Sequence, residues 1–186
     1  MPPLLIYDAC VLYSAPVRDL LMRIARGGLV RARWTTAILD ECFAAILRDR
    51  PNLHPDKLEK TREAMINAVS DCLVSGYEGL IPGLVLPDLD DRHVLAAAIH
   101  AGATAIVTWN RRDFPRSVMD AYGIQVLSPD ELVFDLVQRF PGRVSQLVRE
   151  QAAALRNPPQ SPAELLNTLR KQRLERSVVL LQAELL

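Results

Sequence analysis

The chain has 186 residues, of which 49% are hydrophobic and 24% charged, and its formal net charge is zero. This composition is typical of one folded domain with a modest appendage and excludes a disordered chain. Zero net charge argues against nucleic-acid binding by bulk electrostatics, but it is compatible with an acidic site offset by a basic rim. No apolar run reaches the roughly 18 residues that span a bilayer, and "MPPLLIYDAC" lacks the basic start of a signal peptide. We therefore expect a cytoplasmic protein without a membrane segment.

The first half of the chain alternates strand and helix patterns. A buried strand is predicted over 4–8 and a helix over 16–26, which the glycine pair "GG" ends. A short strand at 29–34 precedes a helix over 35–49, with Thr35 or Thr36 as its cap. The next amphipathic segment predicts a helix over 54–72.

The second half continues the alternation up to about residue 128. Residues 73–91 have a strand-like, turn-rich character. A helix is predicted over 91–103, a buried strand over 104–108 and another strand over 123–128. Strands separated by helices predict an α/β fold with a parallel sheet.

The character of the sequence changes at about residue 141, after which no strand is predicted. A helix is expected near 143–156, a break at "NPPQSP" and a last helix near 163–185. We therefore divide the chain into a main domain, 1–140, and a helical extension, 141–186. The apolar faces of the extension must pack on the main domain, on a second copy or on a partner protein.

Acidic residues follow the predicted strands. In an open parallel sheet, ligands bind outside the carboxyl ends of the strands. Asp8 ends the first strand, Asp113 follows the strand at 104–108, and Asp91 opens a helix just after Asp88 and Asp90. Glu41 lies near the start of the helix over 35–49. Four acids from separate segments are therefore expected to converge at one edge of the sheet.

Converging carboxylates repel one another unless a cation lies between them. Hard oxygen ligands without nearby histidine or cysteine suit Mg²⁺ or Mn²⁺. The cysteines and histidines have no zinc-site spacing and predict free thiols and no structural zinc: Cys10, Cys42, Cys72, His54, His93 and His100. One or two divalent ions in an acidic site orient a water and stabilise a phosphodiester transition state.

Each acid also has a purely structural interpretation. Asp8 and Asp113 are suited to capping the segments that follow them, and Asp91 to the first turn of its helix. Glu41 beside Asp40 is compatible with a solvated helix face, although it lies at the edge of the apolar stripe. It is the order and spacing of the acids together that favour a metal site.

Four stretches together resemble a PIN domain, and more narrowly the VapC-type toxins of toxin–antitoxin pairs. They are "LLIYDACVL", "TTAILDE", "DLDDRHVLAAAIHAGATAIVTWNRRDF" and "GIQVLSPDEL". The resemblance covers about residues 3–135, and its longest motif, 88–114, is the most specific. It implies a metal-dependent ribonuclease with a Rossmann-like three-layer α/β/α sandwich around a parallel sheet.

The resemblance also implies roles for individual residues. The catalytic and metal-binding positions are Asp8, Glu41, Asp91 and Asp113. Thr108 and Asn110 match positions that support the site. Arg111 and Arg112 are candidates for contact with substrate phosphate, and a solvated loop is an equal alternative. The implied cofactor is Mg²⁺ or Mn²⁺, and the implied partners are an RNA substrate and a cognate antitoxin protein, with the extension serving in antitoxin contact or in a homodimer.

The leading hypothesis is an endoribonuclease that cuts single-stranded RNA with a metal-activated water. One alternative is a nuclease of the same fold that acts on DNA or flaps. Another is a non-catalytic PIN-like module that binds RNA or protein. A nucleotide-binding Rossmann protein is disfavoured because the loop "DACVLYSAP" after the first strand contains no glycine.

Overall fold

The sheet of this protein has four parallel strands. The structure is a computed structural model and describes residues 1–185. The strands are Leu4–Tyr7 (β1), Arg31–Arg33 (β2), Ala105–Val107 (β3) and Gln125–Leu127 (β4). They are arranged in the order β2-β1-β3-β4, and every pair is parallel. The parallel α/β architecture expected from the sequence is confirmed.

Helices connect and cover these strands. The α-helices are Ala9–Tyr13 (α1), Ala15–Arg26 (α2), Thr36–Asp49 (α3), Pro55–Ala68 (α4), Arg92–Ala101 (α5), Arg116–Met119 (α6), Pro129–Arg139 (α7), Arg143–Ala154 (α8), Pro162–Lys171 (α9) and Glu175–Leu185 (α10). Short 3₁₀ turns occupy Glu78–Gly83, Arg111–Asp113 and Asp120–Tyr122. None of the helices within residues 1–185 has the length and apolar content needed to cross a membrane.

Local signals explain why most elements begin and end where they do. The Thr35 hydroxyl accepts the Ile38 N–H at 3.0 Å, so it caps α3 as predicted. Gly102 ends α5 in the left-handed conformation, with φ of 64°, which a glycine adopts without steric cost. β1 and β3 are buried along their whole length. Burial on both faces matches their continuous apolar sequence.

The structure corrects two predictions and adds a helix, α7, that was not predicted. The segment 73–91 forms no strand: it has one isolated bridge, between Trp34 and Leu73, and a 3₁₀ turn. Pro82, Pro87 and three glycines interrupt it, and proline cannot donate to a sheet. The last helix, predicted as one piece over 163–185, is two helices, α9 and α10. Helix α7 was not predicted, although Ser128 and Glu131 form a capping box at its start.

The C-terminal helices pack on the main domain of the same chain. Helix α8 contacts α2, and α10 contacts α7. The Gln151 side chain donates to the Pro16 carbonyl at 3.0 Å. Leu174 and Leu181, on the stripe that the sequence suggested, are fully buried. The apolar faces of the extension therefore pack on the main domain, the first of the three locations expected for them. A role of the extension in dimer or antitoxin contact stays a prediction.

A buried carboxylate of α7 caps α10. Asp130 is only 8% exposed. Its side-chain oxygens accept the backbone N–H groups of Arg176 at 3.0 Å and Ser177 at 2.9 Å. The Ser177 hydroxyl lies 2.6 Å from the same carboxylate. The free N–H groups of the first turn of α10 are thus satisfied by a residue 46 positions earlier in the chain.

Replacing Asp130 with alanine is expected to destabilise the protein. The substitution leaves the Arg176 and Ser177 N–H groups without their acceptor, which costs about 2 kcal/mol. For a chain of this length the melting temperature should fall by roughly 4–8 °C, measured by circular dichroism.

Asp135→Ala is the matched control on the same helix. Asp135 forms an exposed ion pair with Arg139, with side chains 47% and 67% exposed. Such pairs contribute little, so its melting temperature should stay within about 2 °C of wild type. Equal losses in the two variants would contradict the capping role of Asp130.

Candidate active site

The candidate site lies at the carboxyl end of β1, where the connections to the neighbouring strands run to opposite sides of β1. From β1 the chain goes to β2 on one side, and β3 lies on the other side of β1. This is the switch point at which ligands bind in open α/β sheets. Asp8 follows β1, Thr108 follows β3, and the Asp8 N–H donates to the Val107 carbonyl at 3.1 Å.

The Asp8 carboxylate is buried and fixed by neutral donors. It is 4% exposed. One oxygen accepts the Ala9 N–H at 2.6 Å, so Asp8 also caps α1. The other accepts the Thr108 hydroxyl at 2.6 Å and the Cys10 thiol at 3.1 Å. Asp8 forms none of the ion pairs found within residues 1–185.

Thr108 links Asp8 to the loop after β3. Thr108 is fully buried, and while its hydroxyl donates to Asp8 it accepts the Asn110 N–H at 2.9 Å. The side chain of Asn110 is exposed and makes no hydrogen bond within the described residues. Asn110 therefore contacts the site through its backbone, whereas Thr108 does so through its side chain.

Cys10 is a member of this hydrogen-bonded group that the sequence did not single out. Its sulfur accepts the Trp109 N–H at 3.2 Å and lies 3.3 Å from the Thr108 hydroxyl. Burial and the nearby Asp8 charge raise the pKa of the Cys10 thiol to about 12. Cys10 therefore stays protonated at neutral pH and acts as a donor to Asp8. Its position two residues after a strand-end aspartate was the available signal.

Asp91 is the carboxyl group on which the other acids act most strongly. Burial, followed by the charges of Asp8, Asp113, Asp88 and Glu41, raises its pKa to about 7. An aspartate normally titrates near 3.9 in water. The other three acids that the sequence grouped, together with Asp88, thus lie near enough to act on the Asp91 carboxyl group.

Glu41 faces a histidine. Its carboxylate oxygen lies 2.9 Å from Nε2 of His93, in ion-pair contact, although the N–H is not aligned for a hydrogen bond. Burial tends to lower the pKa of His93, but Glu41, Asp8 and Asp91 outweigh it and the pKa is raised. His93 was not predicted at the site because Glu41 and His93 lie on separate helices, α3 and α5.

The donor atoms fit a hard divalent cation, but they are not gathered into a ligand shell. Asp8, Glu41, Asp91 and Asp113 supply only carboxylate oxygens, the ligands that Mg²⁺ and Mn²⁺ prefer. Within residues 1–185, no three histidine, cysteine, aspartate or glutamate side chains are grouped closely enough to hold one ion. A shared ion would therefore require these side chains to move closer together.

The remaining predicted residues lie on the loop after β3. Asp113 ends a 3₁₀ turn and is half-buried. Arg111 forms an ion pair with Glu131 at 2.8 Å, whereas Arg112 is exposed and takes part in none of the ion pairs of residues 1–185. Asp88 accepts the Asp90 N–H at 2.9 Å, so these two residues form a turn.

Comparisons with known proteins identify the family of the chain. Residues 5–112 match the family model described as PIN domain. Residues 129–183 match the one described as VapC50 C-terminal domain. A protein of Mycobacterium tuberculosis (strain ATCC 25618 / H37Rv), named "Putative ribonuclease VapC50", is 32% identical over 106 residues. No solved structure matches this chain.

The match covers 57% of this chain and 62% of the relative. The chain therefore spans less than two thirds of the relative's length. The resemblance inferred from the sequence motifs is confirmed by the family matches. The PIN-domain match spans β1 to the loop after β3, and so includes Asp8, Glu41, Asp91 and Thr108. Since this match covers more than half of the 186 residues, the chain belongs to the PIN-domain family.

Proposed function

We propose that this chain is a divalent-metal-dependent endoribonuclease and the toxin of a toxin–antitoxin pair. The observation that carries the proposal is the buried Asp8 carboxylate at the switch point of the sheet, which the Ala9 N–H and the Thr108 hydroxyl fix in place. The carboxylates of Asp91, Asp113 and Glu41 lie near it. Membership of the PIN-domain family supports it, as does the name of the mycobacterial relative, which describes a ribonuclease. The proposal includes an RNA substrate, a cognate antitoxin and action in the cytoplasm.

In this proposal Asp8, Glu41, Asp91 and Asp113 hold the cation, Mg²⁺ or Mn²⁺. When bound, such an ion supplies positive charge that polarises a phosphodiester and lowers the pKa of a water. Asp8 is the fixed member of the set, because the Ala9 N–H and the Thr108 hydroxyl bind its two oxygens. Asp91 is the member with a raised pKa, about 7, so that its carboxyl group titrates near neutral pH in the metal-free protein.

The two arginines of the site loop have different roles in the proposal. Arg112 is exposed and able to contact a substrate phosphate directly, as a planar guanidinium does well. Arg111 must first leave Glu131. That ion pair is exposed, with side chains 54% and 32% accessible, and such pairs are weak enough to be exchanged for a phosphate.

Replacing Asp8 with asparagine is expected to abolish RNA cleavage. The change removes a negative charge from the cation site while keeping the side-chain shape, and should lower the cleavage rate by about 100-fold or more. The measurement is cleavage of total RNA by purified protein with Mg²⁺ or Mn²⁺ and with a chelator, with the new 5′ ends mapped.

Asp90→Asn is the matched control, because Asp90 belongs to the same acidic run but is exposed and contributes only its N–H to the turn. It should cleave as the wild type does. Cleavage of matched DNA but not RNA would favour the DNA nuclease. RNA binding without cleavage, in the presence of bound metal, would favour the non-catalytic module.

Replacing Asp91 with asparagine is expected to stabilise the metal-free protein at alkaline pH. The pKa of Asp91 is raised to about 7 in the folded protein, above its value of about 3.9 in the unfolded chain. The stability that the protonated carboxyl contributes is therefore fully present below pH of about 3.9, and it is lost as the pH rises through about 7. At pH 8 the variant should melt roughly 2–5 °C higher than wild type. Its advantage should disappear at pH 4.

Millimolar Mg²⁺ should raise the wild-type melting temperature more at pH 8 than at pH 6, because the cation competes with the Asp91 proton. The increase should be smaller in Asp91→Asn and unchanged in Asp90→Asn. A wild-type melting temperature that does not respond to Mg²⁺ or Mn²⁺ at either pH would count against the cation site.

A further inference from the structure

The turn between α9 and α10 brings one cation of the C-terminal helices to the candidate site. Arg173 lies in this turn in the left-handed conformation, with φ of 71°. Its neighbours hold the turn in place: the Gln172 side chain accepts the Ser14 hydroxyl at 2.8 Å, and Leu174 is fully buried. The backbone on both sides of Arg173 is therefore anchored to the rest of the protein.

The side chain of Arg173 lies on the ring of Trp109. The guanidinium carbon is 4.6 Å from the ring centroid, which is a cation–π contact. Trp109 lies between Thr108 and Asn110 on the site loop, and its backbone N–H donates to the Cys10 sulfur. Arg173 is exposed and takes part in none of the ion pairs found within residues 1–185.

A groove of about 650 Å³ is shared by Arg173 and Glu41, one of the four acids of the candidate site. Arg173, Trp109 and Arg48 line it, as do Glu41 and Asn110, which belong to the acidic site or its loop. Two carboxylates, Glu41 and Asp49, and two guanidinium groups, Arg48 and Arg173, therefore line the groove. Arg48 is paired with Asp49 at 3.6 Å, whereas Arg173 has no acidic partner among residues 1–185. An unpaired guanidinium close to a carboxylate of the site suits a polyanion. The reacting phosphate requires a metal ion, and a neighbouring phosphate requires a cation of the protein.

We propose that Arg173 binds a phosphate of the RNA strand beside the scissile one, with Trp109 orienting the guanidinium. Stacking on the indole fixes the plane of the guanidinium and leaves its N–H edge free to donate two parallel hydrogen bonds to phosphate oxygens. The C-terminal helices thereby contribute directly to substrate binding. This inference rests on the proposed ribonuclease function.

The contact between Arg173 and Trp109 has a simpler structural interpretation, in which it only attaches the turn to the main domain. The two interpretations differ in what a substitution changes. A phosphate contact contributes to RNA affinity and to its salt dependence, whereas a docking contact contributes to the stability of the fold alone.

The test uses the full chain carrying Asp8→Asn, so that single-stranded RNA binds without being cut. Arg173→Gly removes the side chain and suits the left-handed backbone, which alanine would strain. Arg176→Ala is the matched control, because Arg176 also stacks on an aromatic ring, that of Phe134 at 4.2 Å, but does not line the groove. Affinity for a short RNA is measured by fluorescence anisotropy between 50 and 250 mM salt, and melting temperatures are measured alongside.

Arg173→Gly should weaken RNA binding about tenfold and reduce the slope of log affinity against log salt by roughly 0.7, the value for one phosphate contact on a single strand. Arg173→Lys should lose less than Arg173→Gly, since it keeps the charge. Arg176→Ala should bind as the parent does.

Unchanged RNA affinity and salt slope in Arg173→Gly would overturn the inference, whether or not the melting temperature falls. If the protein with Asp8 intact still cleaves RNA in that case, the proposed ribonuclease function stands. If wild-type protein neither binds nor cleaves RNA, the inference and the proposed function both fail.

Discussion

The geometry of the candidate site depends on one buried carboxylate. Asp8 has only neutral groups bound to it: an N–H, a hydroxyl and a thiol. A buried negative charge is costly unless it is well bound, and three donors offset only part of that cost. The same bonds join β1 to the loop after β3, because Thr108 and Cys10 both contact Asp8 and the loop backbone. The buried carboxylate at the switch point therefore also has a position that several hydrogen bonds define.

The first turn of α7 connects the site loop to the C-terminal helices. Glu131 accepts hydrogen bonds from Ser128 and pairs with Arg111, which lies three residues past Thr108. Asp130, its neighbour, caps α10. Two adjacent acids thus face in different directions, one toward the loop that carries Asp113 and the other toward the helix that follows Arg173. The C-terminal helices are in this way part of the structure that surrounds the site.

Strand ends were the part of the molecule that the sequence predicted best. Asp8 and Thr108 follow short apolar runs, and parallel pairing of those runs brings them within hydrogen-bonding distance. The break in the last helix was not visible, because the left-handed Arg173 is stabilised by burial of Leu174 and by the cap from Asp130. Those contacts join residues far apart in sequence. The pairing of Glu41 with His93 was hidden for the same reason, since periodicity identifies a helix face but not its neighbour.

The cap on α10 has a consequence for recombination between related chains. Asp130 and Ser177 satisfy each other across 47 positions, and both lie in the segment matched as one C-terminal domain. A crossover between β4 and α7 transfers Asp130 and Ser177 together. A crossover between α7 and α8 instead combines the Asp130 of one parent with the side chain at position 177 of the other. Chimaeras joined in the loop at Ser128 should therefore be recovered in folded form more often than those joined near Pro141. In a library of shuffled homologues, inheritance at these two positions should be linked.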